Sequence, residues 1–541
     1  MTTGNIKNID IGLSLFKEVI SRENFYVDKS RLIEHFLTSR NTVSLIARQR
    51  RLGKSLNMDM IRCFLTDKED LRHLFKGLYI ESSPTWEMAH SAPVFYFDFK
   101  DLRLSNYKKK IFGKIYECIN NYCAAAELPW LVKDYLDVKD YDDSDGLLYL
   151  TEAVFRATGK RSYLLIDEYD KFLMDNYNTD AYDEVRSFIT TLFSSSLKGN
   201  QYLEKALLTG VMRISHESMF SGLNNIVTYD VFEDETYTDD YGFTEEEISA
   251  INLYAEFDTT KLREWYNGVR ISGKAIYNTY SVMSYLKKRN FSCFWGKSGT
   301  MDIITDLLND SRRAVLAKLL NGEEVLVSIV NRVSLKDLSG SASDQAFYSL
   351  LVQAGYLAYC RPAEGLISAA YVSIPNVELM LVWKEFILAN LYPDTHRLKT
   401  LFDNVDNLNV FGEDVEYFLS DRLSYHDLAV IKGENPKRLQ ERFYHIFLLG
   451  ILSAYEDVSR KYPLSNRESG DGRYDILVEK SRGYFLFELK ACDKEEDLEA
   501  HAEEALAQID IKRYGADLDK SKRLIKVGVA FCGKQCRVKV S

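Results

Sequence analysis

Near the end of the chain, two carboxylates and a lysine stand at strand spacing. Gly472-Arg473-Tyr474-Asp475-Ile476 leads into the apolar, strand-prone Leu477 and Val478. Tyr484-Phe485-Leu486-Phe487 leads into Glu488-Leu489-Lys490, and Ser481-Arg482-Gly483 supplies a turn between the two runs. The pattern predicts adjacent β-strands that bring Asp475, Glu488 and Lys490 together. Two carboxylates at neighbouring strand positions can hold Mg²⁺ through oxygen ligands. Glu488 and Lys490 are two apart, so in a strand they share a face. A lysine beside a metal-bound water can orient it, or stabilise the charge that develops at a phosphate. That is the chemistry of phosphodiester hydrolysis. A lone Glu-x-Lys is usually a solvated strand edge; the aspartate on the preceding strand sets this one apart.

A second constellation lies in the N-terminal third. The β-branched run Asn41 to Ile46 is followed by Ala47-Arg48-Gln49-Arg50-Arg51-Leu52-Gly53-Lys54-Ser55, then by the helical pattern Leu56 to Leu65. Strand, Gly-Lys-Ser, helix is the context of a phosphate-binding P-loop. Backbone N–H groups at the helix start bind phosphate, Lys54 reaches the terminal phosphates, and Ser55 can ligate Mg²⁺. The first glycine of the usual motif would fall at Arg48. Tyr163-Leu164-Leu165-Ile166-Asp167-Glu168 reads as a buried strand ending in two acids. There Asp167 would hold Mg²⁺, directly or through water, and Glu168 would polarise an attacking water. Ala206 to Val211 is a further strand; Thr209 at its end can sense the γ-phosphate, and Arg213 can contact it. The nucleotide set is therefore Arg51, Gly53, Lys54, Ser55, Leu56, Asp167, Thr209 and Arg213, with ATP and Mg²⁺ as cofactors.

The elements that must position these residues need more than one core. A chain of 541 residues divides into two to four domains, and 46% apolar residues fit packed globular units. Only 8 prolines argue against long disordered linkers. No run of about 18 uncharged apolar residues is present, and Met1 to Lys17 lacks a signal-peptide core, so a cytoplasmic protein without a membrane partner is expected. The 8 cysteines are scattered; Cys118 with Cys123 and Cys532 with Cys536 lack a second pair at metal-ligand spacing, and free thiols are expected. A net charge of −11 disfavours non-specific nucleic-acid binding, so any such contact must be local or metal-bridged.

The pattern predicts an α/β chain. Residues 1–240 form a P-loop NTPase parallel sheet with covering helices, Pro93 to Phe99 among its strands. Residues 241–375 hold a helical lid, Glu245 to Trp265, and a winged-helix-like piece. In that piece Phe347 to Tyr359 reads as helix, glycine turn and strand, and Tyr371 to Pro375 returns. A structural arm fits it better than a DNA-reading role. Tyr277, Tyr280, Tyr285 and Trp295 are spaced for packing. Residues 376–434 are a helical connector. Residues 435–541 open on the amphipathic helix Glu441 to Gly450. Gly470-Asp471-Gly472 then turns into the strand of Asp475, a helix spans Asp497 to Tyr514, and a last strand spans Ile525 to Phe531. His445, one turn after Glu441, reads as structural, and the turn accounts for Asp471.

These residues resemble a known family. Tyr26-Val27-Asp28-Lys29, Arg50 to Ser55, Leu165-Ile166-Asp167-Glu168-Tyr169-Asp170-Lys171, Leu208 to Ile214, Ser221 to Asn225, Tyr241 to Glu247, and Trp265-Tyr266-Asn267-Gly268 with Tyr277-Asn278 are similar to the bacterial AAA-ATPase-like family. That family usually has proline at Gln49 and phenylalanine at Leu52. In the wider group of related archaeal-type ATPases the missing first glycine is tolerated. Residues Glu441 to Lys534 resemble the PD-(D/E)XK nuclease fold, the restriction-endonuclease-like α/β domain fused behind such ATPases. The resemblance implies that Glu441 completes the metal shell of Asp475 and Glu488, and that Lys490 is the catalytic lysine. It also implies that Gln508 and Tyr514 support the site. Tyr474 stands where the motif's proline would be.

Three functions follow. The first is a Mg²⁺-dependent nuclease controlled by ATP, with nucleic acid, DNA before RNA, as partner, and with a homo-oligomer open to it. The second is a nucleotide-sensing interaction protein whose nuclease-like domain binds nucleic acid or partners without cutting. The third, a plain ATPase motor, gives no reason for Asp475, Glu488 and Lys490 to occur together.

Overall fold

The computed structural model describes residues 2–3, 8–125, 145–213, 225–294, 304, 307–320, 322–331, 333, 343–366, 368–391, 405–422, 444–445, 448, 464–465, 468–480, 483–532 and 535–541. The chain divides into two compact units. One comprises Met1–Gly296 with Glu324–Leu379, the other Lys297–Glu323 with Met380–Ser541.

The first unit is built on a five-stranded parallel sheet. Its strands are β1 (Val43–Ala47), β2 (Val94–Asp98), β3 (Ser162–Asp167), β4 (Leu203–Gly210) and β5 (Ile226–Tyr229), in the spatial order β2-β3-β4-β1-β5. β1 and β3 are buried along their whole length, because helices cover both faces of the sheet. This is why both read as unbroken apolar runs. The chain leaves β1 through the loop 48–53 and enters helix α1 (Lys54–Leu65), two residues earlier than the apolar pattern suggests. Gly53 caps α1 in the left-handed region at φ 86°, a conformation that costs glycine little.

The helical segment begins with α2 (Glu245–Ala255). Thr244 and Glu247 close a reciprocal capping box at its start, satisfying two N–H groups that the helix leaves open. Helices α3 (Thr259–Tyr266) and α4 (Thr279–Lys288) follow, capped by Asp258 and Asn278. Tyr277 is fully buried, with its hydroxyl on Glu245, and Tyr285 stacks on Phe291 at 4.3 Å. Trp295 lies outside the described residues.

A small antiparallel sheet completes this unit. It contains β6 (Val325–Ser328), β7 (Ala358–Pro362) and β8 (Ala369–Ser373), ordered β6-β8-β7. Helix α5 (Asp344–Ala354) precedes β7 and ends on Gly355 at φ 90°. Every residue from Ala346 to Ala354 is buried. A helix buried on all sides has no face to lay into a nucleic-acid groove, so α5 is a packing element.

The second unit carries a five-stranded mixed sheet: β9 (Leu464–Ser465), β10 (Ile476–Lys480), β11 (Gly483–Ala491), β12 (Leu524–Cys532) and β13 (Gln535–Val540), in sequential order. β11 and β12 pair in parallel and the other neighbours antiparallel. One face, with Val478, Phe485, Phe487, Val527 and Phe531, packs on helix α6 (Leu408–Arg422) through Phe411, Val415 and Leu419, and on Tyr444 and Leu448. The other, with Leu477, Tyr484 and Leu486, packs on helix α7 (Leu498–Ile511) through Ile509, and on Tyr514. Alternation along the strands thus feeds two helical layers. α6, which the sequence reading leaves in a connector, belongs to this core. β13 pairs along the far edge of β12 and has no counterpart in the sequence reading. Among the described residues, no helix is long and apolar enough to cross a membrane.

Candidate functional sites

In the second unit the hairpin sets the geometry. Ile476 pairs with Phe487, so Asp475 falls beside Glu488 at the mouth of the sheet. The Leu489 N–H donates to Asp475 Oδ2 at 2.8 Å, which fixes that carboxylate against β11. Glu488 is buried at 4% exposure. Gln508, on α7, joins the two charged positions of β11. Its Nε2 donates to Glu488 Oε1, and its Oε1 accepts from Lys490 Nζ at 2.6 Å. One amide therefore orients an acid and a base-side cation together, because it offers a donor and an acceptor in one plane. The Tyr514 hydroxyl lies 3.5 Å from Gln508 Nε2, and burial raises its pKa. Burial pushes the His445 imidazole down to about 4, opposed by a hydrogen bond at the Asp475 backbone. His445 is therefore neutral near pH 7 and braces the strand of Asp475.

Glu441 lies outside the described residues. Among those described, no group of three or more His, Cys, Asp or Glu side chains is arranged to hold a metal. Asp475 and Glu488 are a pair of hard oxygen donors, and Mg²⁺ commonly takes one or two carboxylates and fills its octahedron with water. The donor set fits that ion.

In the first unit the loop between β1 and α1 wraps a buried ammonium. Lys54 Nζ donates to the carbonyls of Arg48 and Gln49, each at 2.9 Å. Burial lowers its pKa, while Glu168, Asp167 and Asp170 raise it. A cavity of about 280 Å³ opens beside Gly53, Lys54, Ser55 and Leu56. Glu168 and Arg51 line it as well, with Tyr280 and Met283 of helix α4 among its walls. Its position at a helix N-terminus suits an anion.

Arg48 occupies the place of the motif's first glycine. Its side chain is fully buried: it pairs with Asp234 and donates to the carbonyls of Ala47 at 2.9 Å and Tyr229 at 3.2 Å. Burial lowers its pKa to about 10, so it stays cationic at neutral pH. This buried clamp anchors the start of the loop, whose left-handed residues are Arg51 (φ 67°) and Gly53 (φ 86°).

Asp167, at the end of β3, accepts from the hydroxyls of Tyr96 (3.1 Å) and Thr209 and from the Glu168 N–H (3.0 Å). Thr209 thus holds Asp167. Arg213 places its guanidinium on Asp230 at 2.8 Å, and its N–H donates to Gln353 Oε1 at 2.8 Å. Glu168 stands at φ 53°, a left-handed conformation rare outside glycine, directly beneath the cavity.

Asp170 and Asp234 are neighbours of the candidate nucleotide site that the sequence reading passes over. Asp170 Oδ2 accepts from the N–H groups of Val211 (2.9 Å) and Met212 (2.8 Å). Gly210 makes that closure possible, since a Cβ there would stand 2.6 Å from Asp170 Oδ1. Asp170 had a signal, being the last acid of the Asp-Glu-Tyr-Asp run; Asp234 had none.

Comparison with known proteins agrees with this division. Residues 10–220 match the family model described as a predicted AAA-ATPase, and residues 439–541 match that of the PD-(D/E)XK nuclease superfamily. This is the N-terminal and C-terminal arrangement expected from the motifs. An uncharacterized protein from the vnfD 5′ region of Azotobacter chroococcum mcd 1 is 28% identical over 527 residues, covering 94% of this chain and 93% of that protein.

Proposed function

We propose that this chain, with its ATPase-like and nuclease-like domains, is an ATP-binding protein whose C-terminal domain cleaves nucleic acid, DNA rather than RNA, with Mg²⁺, under the control of ATP binding or hydrolysis. The observation that carries the cleavage reading is the Gln508 bridge between Glu488 and Lys490, beside Asp475. A strand-edge Glu-x-Lys without function has no need of a half-buried amide that fixes both side chains.

In this reading Asp475 and Glu488 hold Mg²⁺, and Glu441 completes the shell. The ion, when bound, supplies a Lewis acid and an acidified water at the scissile phosphate. Lys490, held by Gln508, stands where it stabilises the charge that builds on the phosphate. Tyr514 and His445 keep Gln508 and the Asp475 strand in place.

In the nucleotide site, Lys54 exchanges the carbonyls of Arg48 and Gln49 for phosphate oxygens, and the helix N-terminus at Gly53 adds N–H donors. Ser55 and Asp167 hold the nucleotide's Mg²⁺, Asp167 pinned by Tyr96 and Thr209. Glu168 orients the attacking water. Arg51, Gly53 and Leu56 shape the cavity. Thr209 and Arg213 serve the γ-phosphate region through the residues they hold.

Incubation of the purified chain with linear DNA tests the cleavage reading. Cutting that requires Mg²⁺ and is lost in Glu488→Ala and Lys490→Ala is expected. Cleavage that survives in both variants refutes it.

A further inference from the structure

The loop 48–53 of a nucleotide site normally presents free backbone to phosphate. Here its side chains and carbonyls are tied to three neighbours. Arg48 is held by Asp234. The Arg51 carbonyl accepts from Thr279 Oγ1 of α4 at 2.7 Å. Gln49 reaches the small sheet-and-helix module: its Nε2 donates to the Val352 carbonyl at 3.3 Å. Contact there is close, since a Cβ on Gly355 would stand 2.7 Å from Gln49 Oε1.

The same end of α5 makes a second contact, with the segment that follows β4 and outside the cavity lining. Gln353 Oε1 accepts the Arg213 N–H at 2.8 Å, and its Nε2 donates to the Asn331 carbonyl at 3.3 Å. Arg213 follows the segment whose amides are held by Asp170. The Arg213 guanidinium grips Asp230, and Asn331 Nδ2 reaches Glu233 at 3.1 Å. Successive residues of one helix end, Val352 and Gln353, thus face the two strand ends, β1 and β4, between which a γ-phosphate would sit. Gln353 is buried at 1% exposure and has no solvent to replace these partners.

We infer that Gln49 and Gln353 are positioning residues through which the phosphate state of the nucleotide site sets the placement of α5 and the strand β7 that follows it. The inference rests on the nucleotide reading above. Lys54 is parked on the carbonyls of Arg48 and Gln49. Drawing it onto phosphate frees those carbonyls and moves residue 49, whose side chain bears on Val352 and Gly355. The Arg213 end follows whatever Asp170 and Glu168 do when an attacking water is ordered. A ligand shifts such an equilibrium only through differential contacts with the two states, and these two glutamines supply them.

Hydrogen exchange on the full chain, with and without ADP or a non-hydrolysable ATP analogue, tests this. Nucleotide binding is measured in the same samples with a fluorescent nucleotide, and folding by thermal melting. In the wild type, exchange over residues 344–362 is expected to change with nucleotide, by about two- to tenfold per hydrogen bond affected. In Gln353→Ala, nucleotide affinity is expected to stay within about threefold, the low end of what one hydrogen bond is worth, while the exchange response of 344–362 is lost. Gln49→Ala is expected to lose the same response. A wild type that binds nucleotide without any response in 344–362 overturns the inference alone. So does a Gln353→Ala variant that is folded and responds in full. A wild type that binds no nucleotide overturns the nucleotide reading and the inference with it.

Discussion

Replacing Gln508 tests the nuclease site at its least replaceable point. Gln508→Leu keeps the volume on α7 and removes both hydrogen bonds, the one to Glu488 and the one from Lys490. Each has a charged partner, and such bonds are worth about 1.5–3 kcal/mol. Loss of the partners that orient metal ligands typically lowers metal affinity or activity about 10–100-fold. At about 1.4 kcal/mol per tenfold, that is roughly the worth of one of the two bonds, since water takes over the more exposed Lys490. Gln508→Glu separates the roles. As a carboxylate it still accepts from Lys490 but cannot donate to Glu488, and it adds a like charge beside it. Protonated, it donates as the amide does. Its deficit against wild type should therefore grow as pH rises through the range where residue 508 ionises. The assay is initial cleavage rate against Mg²⁺ concentration at several pH values. A Gln508→Leu variant within about twofold of wild type at limiting Mg²⁺, below the range expected for such partners, refutes the reasoning. A flat pH deficit in Gln508→Glu does so too.

Three other outcomes are expected. Lys54→Ala should weaken nucleotide binding about 10- to 100-fold by titration, the worth of one charge-assisted contact; unchanged affinity would show that the ammonium never leaves the loop carbonyls. Gly242→Ala should lose about 2–4 kcal/mol in urea unfolding of the first unit, because φ is 81° and the new Cβ meets Ile276 and stands 2.9 Å from the Tyr277 carbonyl; a loss under about 1 kcal/mol would mean that this packing yields. Burial, aided by Glu168, raises the Asp170 carboxyl from 3.8 to about 6. The native state then holds a proton that the unfolded chain has released, so this group's contribution to stability falls as pH rises from about 4 to 6, by up to about 3 kcal/mol. Asp170→Asn keeps an acceptor for Val211 and Met212 and should flatten that slope; a wild-type slope retained in the variant would place the titration elsewhere.

How much was legible follows from where the partners lie. Asp475, Glu488 and Lys490 were readable because strand alternation and a short turn are local signals. β1, α1 and β3 were readable because sheet burial leaves continuous apolar runs next to Gly53 and Asp167. Arg48 was not: its partner Asp234 is 186 residues away, and nothing local says that an arginine can replace a glycine by being buried. Gln49 and Val352 are 303 residues apart, so no periodicity connects them. β13 was missed because Arg537 and Lys539 give it the look of a polar tail. In the fold both face Glu499, and Arg537 also pairs with Glu416 of α6. Thr209 and Arg213 were placed correctly at the strand end, but their hydrogen-bond partners depend on side chains that no spacing fixes.

The pairing of Lys480 with Gly483 makes the hairpin a ruler. Two residues separate the paired positions, and the pairing is counted out from there to Asp475 and Glu488. Adding or deleting one residue in that connection would slide β10 past β11 by a single position and turn every side chain of one strand to the opposite face. Asp475 would then leave Glu488 while both remained in a folded sheet. Chain length between Lys480 and Gly483 is therefore under a tighter constraint than residue identity there. A library of insertions along the chain should show a sharp gap in tolerated activity at residues 481–482, even though turns are ordinarily where insertions do least harm.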